Sequence, residues 1–112
     1  MKLFNTLSGH KKRFTAGDRK VRMYVCGVTP YGQSHIGHAM CSVVFDVARR
    51  YLEFKGYEVL HIQNFTDIDD KMIKAASEEG ISTRDLANRN ILSYLEEMDA
   101  LNVLRAHSYP RA

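Results

Sequence analysis

The apolar and polar positions divide the chain into short alternating segments and longer segments with helical spacing. Residues 2–7 read as a short edge strand. Residues 8–20, polar and containing Gly9 and Gly17, read as a loop. Val21, Met23 and Val25 then alternate with Arg22, Tyr24 and Cys26, which predicts a strand with one face turned to a core. Gly27 stops it, and Thr29-Pro30-Tyr31-Gly32 has the chemistry of a turn. From about Gly37 to Lys55 apolar residues recur in steps of three and four: Met40, Val43, Val44, Val47, Ala48, Tyr51 and Leu52. That spacing predicts a long helix with one apolar stripe. β-Branched valines are poor helix formers, so burial of the stripe is expected to hold the helix. Gly56 suits the left-handed position that follows a helix.

Residues 58–63 (EVLHIQ) make a second strand, so that strand, helix and strand form a βαβ unit with parallel strands and a right-handed crossover. An acidic loop, Asn64 to Asp70, enters a helix from about Ile68 to Glu79, closed by Gly80. Ser82 caps a final helix to about Ala100, with Asp85 three residues on as an approximate capping box. Its apolar face is Ala87, Ile91, Leu95, Met98 and Leu101. The tail, Asn102 to Ala112, contains nothing expected to close a fold. A parallel sheet needs helices on both faces, and one βαβ unit covers only one. The expected fold class is therefore α/β, with residues 1–112 forming the N-terminal half of a larger doubly wound domain.

At 112 residues, 45% hydrophobic and 26% charged, the composition is that of one folded domain or part of one, and disorder throughout is excluded. No apolar run reaches the roughly 18–20 residues of a membrane span. The first thirteen residues are polar and basic, unlike a secretory signal. Two cysteines are too few for a disulfide scaffold, so a reducing, cytoplasmic setting is expected, with no membrane partner. The net charge is +3, and Lys11, Lys12, Arg13, Arg19, Lys20 and Arg22 crowd the early chain. They form either a solvated basic edge or a contact for nucleic acid.

The densest chemistry lies in residues 26–38 (CGVTPYGQSHIGH), between the first βαβ strand and its helix. Ligands in open α/β sheets bind at that edge, and a helix N-terminus offers free N–H groups to phosphate. Gly37 lets a ligand approach the backbone. His35 and His38 share one face of the first turn, where two imidazoles can stabilise phosphate charge building in a transition state. Cys26, His35, His38 and Cys41 have the count of a tetrahedral zinc site but a poor spacing for one, and Cys26 is the better single ligand. In the acidic loop, Asp67, Asp69 and Asp70 fit helix-start electrostatics, whereas Asn64 and Thr66 belong to the strand edge that faces the crevice. Lys71-Met72-Ile73-Lys74 reads as a solvated helical face.

His35-Ile36-Gly37-His38 is, letter for letter, the HIGH signature of class I aminoacyl-tRNA synthetases. With Cys26-Gly27 upstream, Phe45-Asp46 in the helix and residues 64–71 (NFTDIDDK) after the second strand, the chain closely resembles the cysteinyl-tRNA synthetase family. Phe4-Asn5-Thr6-Leu7, residues 99–104 and Pro110-Arg111-Ala112 extend the likeness to nearly the whole length. The resemblance implies a Rossmann-like catalytic domain that activates L-cysteine with ATP (with Mg²⁺) to cysteinyl-adenylate and then charges tRNA(Cys). It implies catalytic His35 and His38, and an ATP or adenylate site of Gly27, Thr29, His35, Gly37 and His38. It also implies a substrate pocket of Cys26, Thr29, Cys41, Asn64 and Thr66. Cys26 matches the first ligand of a Zn²⁺ that binds the substrate thiolate. The other ligands, the second ATP loop and the anticodon-binding domain are expected beyond residue 112, so the isolated chain is expected to be inactive. Gly32 and Cys41 depart from the usual pattern, and Thr29-Pro30-Tyr31 resembles a mycothiol-pathway cysteine ligase, which uses an amino-sugar acceptor. That ligase and a stand-alone nucleotide- or RNA-binding module are the alternatives.

Overall fold

The computed structural model describes residues 1–112 and contains β1 (Lys2–Asn5), β2 (His10–Arg13), β3 (Lys20–Val25), α1 (Ile36–Phe54), β4 (Glu58–Gln63), α2 (Asp70–Glu79) and α3 (Thr83–Ala100). β3 and β4 pair in parallel, in register from Lys20↔Glu58 to Val25↔Gln63, with α1 as the crossover. Val21 and Val59 close a small core with Leu52 of α1. The main core lies beyond the C-terminal end of β4, where Phe65 and the inner faces of α2 and α3 meet through Met72, Ala76, Leu86, Ala87, Ile91, Tyr94 and Met98. The helix ends follow the expected chemistry. Asp69 Oδ1 accepts the Lys71 N–H at 2.8 Å, and Ser82 Oγ accepts the Asp85 N–H at 3.0 Å. Gly80 closes α2 at φ 68°.

Three expectations are corrected. The segment read as a loop over 8–20 contains β2, which pairs antiparallel with β1 through a turn at Asn5–Gly9, with Gly9 at φ 69°. Every residue of both strands is exposed, so no alternation marks them. The tail, read as closing nothing, lies along the edge of β4 opposite β3. The Gln63 N–H donates to Ser108 O at 3.1 Å and the Phe65 N–H to Pro110 O at 3.0 Å. The Tyr109 ring stacks on Phe65 at 5.3 Å. The tail satisfies backbone groups that β4 would otherwise leave open, although its irregular, proline-containing sequence has no strand period.

The third correction concerns α1. Of its predicted apolar stripe only Leu52 is buried, while Met40 (68% exposed), Val44 (58%) and Val47 (59%) face outward. The inner face carries polar Ser42 and Asp46 instead. Asp46 Oδ1 accepts the Leu104 N–H at 3.0 Å, and Oδ2 accepts Arg50 Nε at 2.7 Å. The face that meets the tail must satisfy backbone donors, and apolar side chains cannot. A contiguous apolar stripe in water drives association. The chain is expected to self-associate in sedimentation, and Val43→Lys with Val47→Lys should restore a monomer. An unchanged sedimentation profile in that variant would count against the stripe as the cause.

His61 of β4 is buried and neither ring nitrogen has a hydrogen-bond partner. Burial first, then the nearby Arg49 and His107, hold its pKa below the ordinary histidine value, with Asp46 opposing. The unfolded chain therefore takes up the proton before the folded one does. Stability is complete above the unfolded pKa of about 6.5 and declines as the pH falls towards the folded value. The urea midpoint should drop between pH 7.5 and 5.5, and His61→Leu should flatten that dependence, since no hydrogen bond is lost. An equal drop in the variant would remove His61 from the account.

Candidate functional site

The site begins where β3 and β4 end side by side. The Gly27 N–H donates to Asn64 Oδ1 at 2.9 Å, and the Thr66 N–H donates to Val28 O at 3.1 Å. A Cβ on residue 27 would overlap the Asn64 carbonyl oxygen, so only glycine lets the strand ends approach this closely. From there the chain turns through Thr29-Pro30-Tyr31, where the buried Asn90 of α3 donates to Pro30 O at 2.8 Å. Lys71, in the first turn of α2, holds its ammonium 5.5 Å from the centre of the Tyr31 ring.

At the start of α1 the two histidines form a reciprocal cap. His35 has extended backbone, and its Nδ1 accepts the Gly37 N–H at 3.1 Å; His38 Nδ1 accepts the His35 N–H at 3.3 Å. Their rings stack with centres 3.8 Å apart. Because each Nδ1 accepts, the proton of each neutral ring sits on Nε2. Burial, then the neighbouring His35, lowers the His38 pKa, with Glu97 opposing. A Cβ on Gly37 would press on the His35 ring, so this glycine admits the cap.

A directed chain of hydrogen bonds fixes the floor. Gln63 Nε2 donates to the Tyr94 hydroxyl at 2.9 Å, Tyr94 donates to Ser42 Oγ at 2.8 Å, and Ser42 donates to His38 O at 3.0 Å. One donor and one acceptor are used at each hydroxyl, and the chain joins β4, α3 and α1.

These elements enclose an open cleft of about 290 Å³. Of the residues singled out in the sequence, Cys26, Gly27, Thr29, His38 and Cys41 line it. Asn64 lies behind the wall, holding Gly27, and its Nδ2 lies 3.4 Å from Thr66 Oγ1. His35 stacks on His38 but lines the adjoining groove with Ile36 and Glu97. Sequence reading missed Tyr31, Ser42, Gln63, Lys71 and Tyr94, which also line the cleft. Lys71 is exposed, as a solvated helical face requires, but it stands at the cleft rim. Its place directly after the acidic loop was the available signal; Tyr94, on the last helix, had none. The residues present do not make a metal site: no three or more His, Cys, Asp or Glu side chains come together. No helix is long and apolar enough to cross a membrane.

Comparison with known proteins places this cleft in context. The family described as "tRNA synthetases class I (C) catalytic domain" matches residues 13–112. A cysteine–tRNA ligase of Dehalococcoides mccartyi is 57% identical over the whole chain, and one of Caldicellulosiruptor saccharolyticus is 54% identical. The chain spans about a quarter of the length of these relatives, 25% and 24%. Among solved structures, Mycobacterium tuberculosis methionyl-tRNA synthetase bound by methionyl-adenylate is similar with a TM-score of 0.71 and 25% identity, covering 82% of this chain and 18% of that one.

The contact of the strand ends makes a direct prediction. Gly27→Ala should lower stability by about 1–3 kcal/mol or more in urea denaturation, because backbone rather than a flexible side chain must move. Asn64→Ala should cost about 1–3 kcal/mol by leaving the Gly27 N–H unpaired. A wild-type midpoint for Gly27→Ala would show that the strand ends separate freely.

Proposed function

The chain belongs to the class I (C) tRNA synthetase catalytic-domain family, and from that premise we propose that it forms the N-terminal part of the cysteine-activating site of a cysteine–tRNA ligase. The observation that carries the proposal is the position of His38, held by the His35 cap at the start of α1 and lining the cleft with Gly27 and Thr29. Relatives over half identical along the whole chain bear the name cysteine–tRNA ligase, which favours tRNA over an amino sugar as the acceptor.

In this reading the carboxylate of L-cysteine attacks the α-phosphorus of ATP in line, and pyrophosphate leaves. Negative charge builds on the phosphate oxygens as it does so. His35 and His38 are the catalytic pair: with each Nδ1 occupied by a backbone N–H, each neutral ring offers its Nε2–H as a donor. The lowered His38 pKa keeps that ring neutral, so a proton is donated in a hydrogen bond rather than transferred. The start of α1 adds the positive end of the helix dipole. Gly27 and Thr29 line the side of the cleft that takes the nucleotide, and Gly37 contributes by giving the His35 ring of the cap its room. Thr29 and Cys41 shape the cysteine pocket and Lys71 adds a cation at its rim, while Asn64 and Thr66 support its wall from behind through Gly27 and Val28. Cys26 is the one zinc ligand in the chain. A single thiolate does not hold zinc, so any zinc would need its further ligands from outside these residues. Charged tRNA and cytoplasmic protein synthesis complete the reading.

The test is a chimera in which these residues replace the matching segment of the Dehalococcoides relative. Cysteine-dependent ATP–pyrophosphate exchange should survive, and His38→Ala in the chimera should reduce it by about 10²–10³-fold. The 112-residue chain alone should show no exchange above its own His38→Ala control. A folded but inactive chimera, or one indifferent to His38→Ala, would overturn the assignment.

A further inference from the structure

The β1–β2 hairpin takes no part in the cleft, yet its composition is extreme. No acidic residue precedes Asp18. The ladder sets Lys2 directly across from Arg13, and Phe4 across from Lys11, so these four side chains share one face. Leu3, Lys12, Asn5 and His10 share the other. Both faces lie in water. The ion pairs of the molecule involve Arg49, Arg50, Lys74, Arg89, Arg105 and Arg111, and none of the hairpin cations. Like charges facing across a ladder destabilise it, and a two-stranded ribbon is marginal in water. This hairpin therefore carries an uncompensated repulsion that an external polyanion relieves. Phe4, 62% exposed, stands with Leu3, Lys12, Arg13 and Phe14 around a groove of about 480 Å³. Cations beside exposed aromatic rings are what a nucleic-acid strand meets, phosphates on the first and bases on the second.

We propose that the β1–β2 hairpin is a docking surface for structured RNA, engaging its phosphate backbone through Lys2, Lys11, Lys12 and Arg13, with Phe4 as an apolar platform. Cations on both faces of the ribbon suit a partner that wraps or enters a groove; a flat anionic membrane reaches one face only. The choice of RNA rests on the tRNA-charging reading, while the surface itself is distinct from the cleft.

The experiment measures the anisotropy of a fluorescein-labelled RNA stem-loop titrated with the 112-residue chain over a range of salt concentrations. Binding should weaken steeply with salt. Lys11→Glu, Lys12→Glu and Arg13→Glu together should weaken it at least about tenfold and flatten the salt slope by about two to three. Lys11→Gln with Lys12→Gln should fall between, which keeps the test usable if the triple variant misfolds by circular dichroism. Lys74→Glu, on the exposed face of α2, should change little. Absence of RNA binding by the wild type, unchanged affinity in a folded hairpin variant, or preference for phosphatidylglycerol vesicles over RNA would each overturn the proposal. ATP–pyrophosphate exchange by the chimera requires no RNA, so failure of the hairpin and failure of the cysteine-activating reading are read separately.

Discussion

Residue 27 stands so close to the carbonyl of Asn64 that a β-carbon there would occupy the same space. Much of the site follows from this approach. It brings the ends of β3 and β4 into direct contact, with the Asn64 amide oxygen accepting the Gly27 N–H. The segment after β3 then has to turn across the end of β4, where Thr66 takes hold of Val28 O. The cleft opens at that turn, at the C-terminal edge of the parallel pair, the side on which open α/β sheets bind their ligands.

What holds the opposite wall is polar. Gln63, Tyr94 and Ser42 pass hydrogen bonds in one direction from β4 through α3 to the first turn of α1. That turn is also locked from within, because each histidine ring accepts a backbone N–H from the other side of the cap. The cap uses N–H groups that a helix start leaves free and converts them into positional restraint. The cap leaves one protonated nitrogen on each ring, so a local folding device and a hydrogen-bond donor are the same atoms. Strain is not needed to hold them; the two rings stack and the backbone at His35 is ordinary extended chain.

α1 shows how a polar inner face and an apolar outer face coexist in one helix. Asp46 and Ser42 point inward because the tail and α3 bring a backbone donor and a hydroxyl that need partners. The valines point outward, towards nothing in these residues. The tail meanwhile lies along β4, so the parallel pair is flanked on that edge, and the Tyr109 ring reaches the main core through Phe65.

The β4 segment, the caps at Ser82 and Gly80, the parallel strand–helix–strand order and the HIGH tetrapeptide could all be read from the sequence, because each depends on neighbours within a few positions. Alternation, helical spacing, a capping hydroxyl and a left-handed glycine are local properties of the chain. Cys26, Gly27, Thr29 and His38 could be placed at the cleft for the same reason, being close to a predicted strand end or helix start, whereas only the family resemblance placed Cys41 there. Which side of α1 turns inward could not be read locally. Hydrophobic spacing pointed to the valines, whereas the distant Leu104 N–H and Tyr94 hydroxyl selected Asp46 and Ser42. The exposed hairpin and the irregular tail carry no periodicity, so only long-range hydrogen bonding defines them. Tyr94 and Lys71 reach the cleft by the packing of α3 and α2. The sequence by itself determined the helices, the parallel strands and the chemistry at their ends; the tertiary structure decided the hairpin, the course of the tail and which faces met, because backbone groups far apart in the chain must find partners once water is excluded.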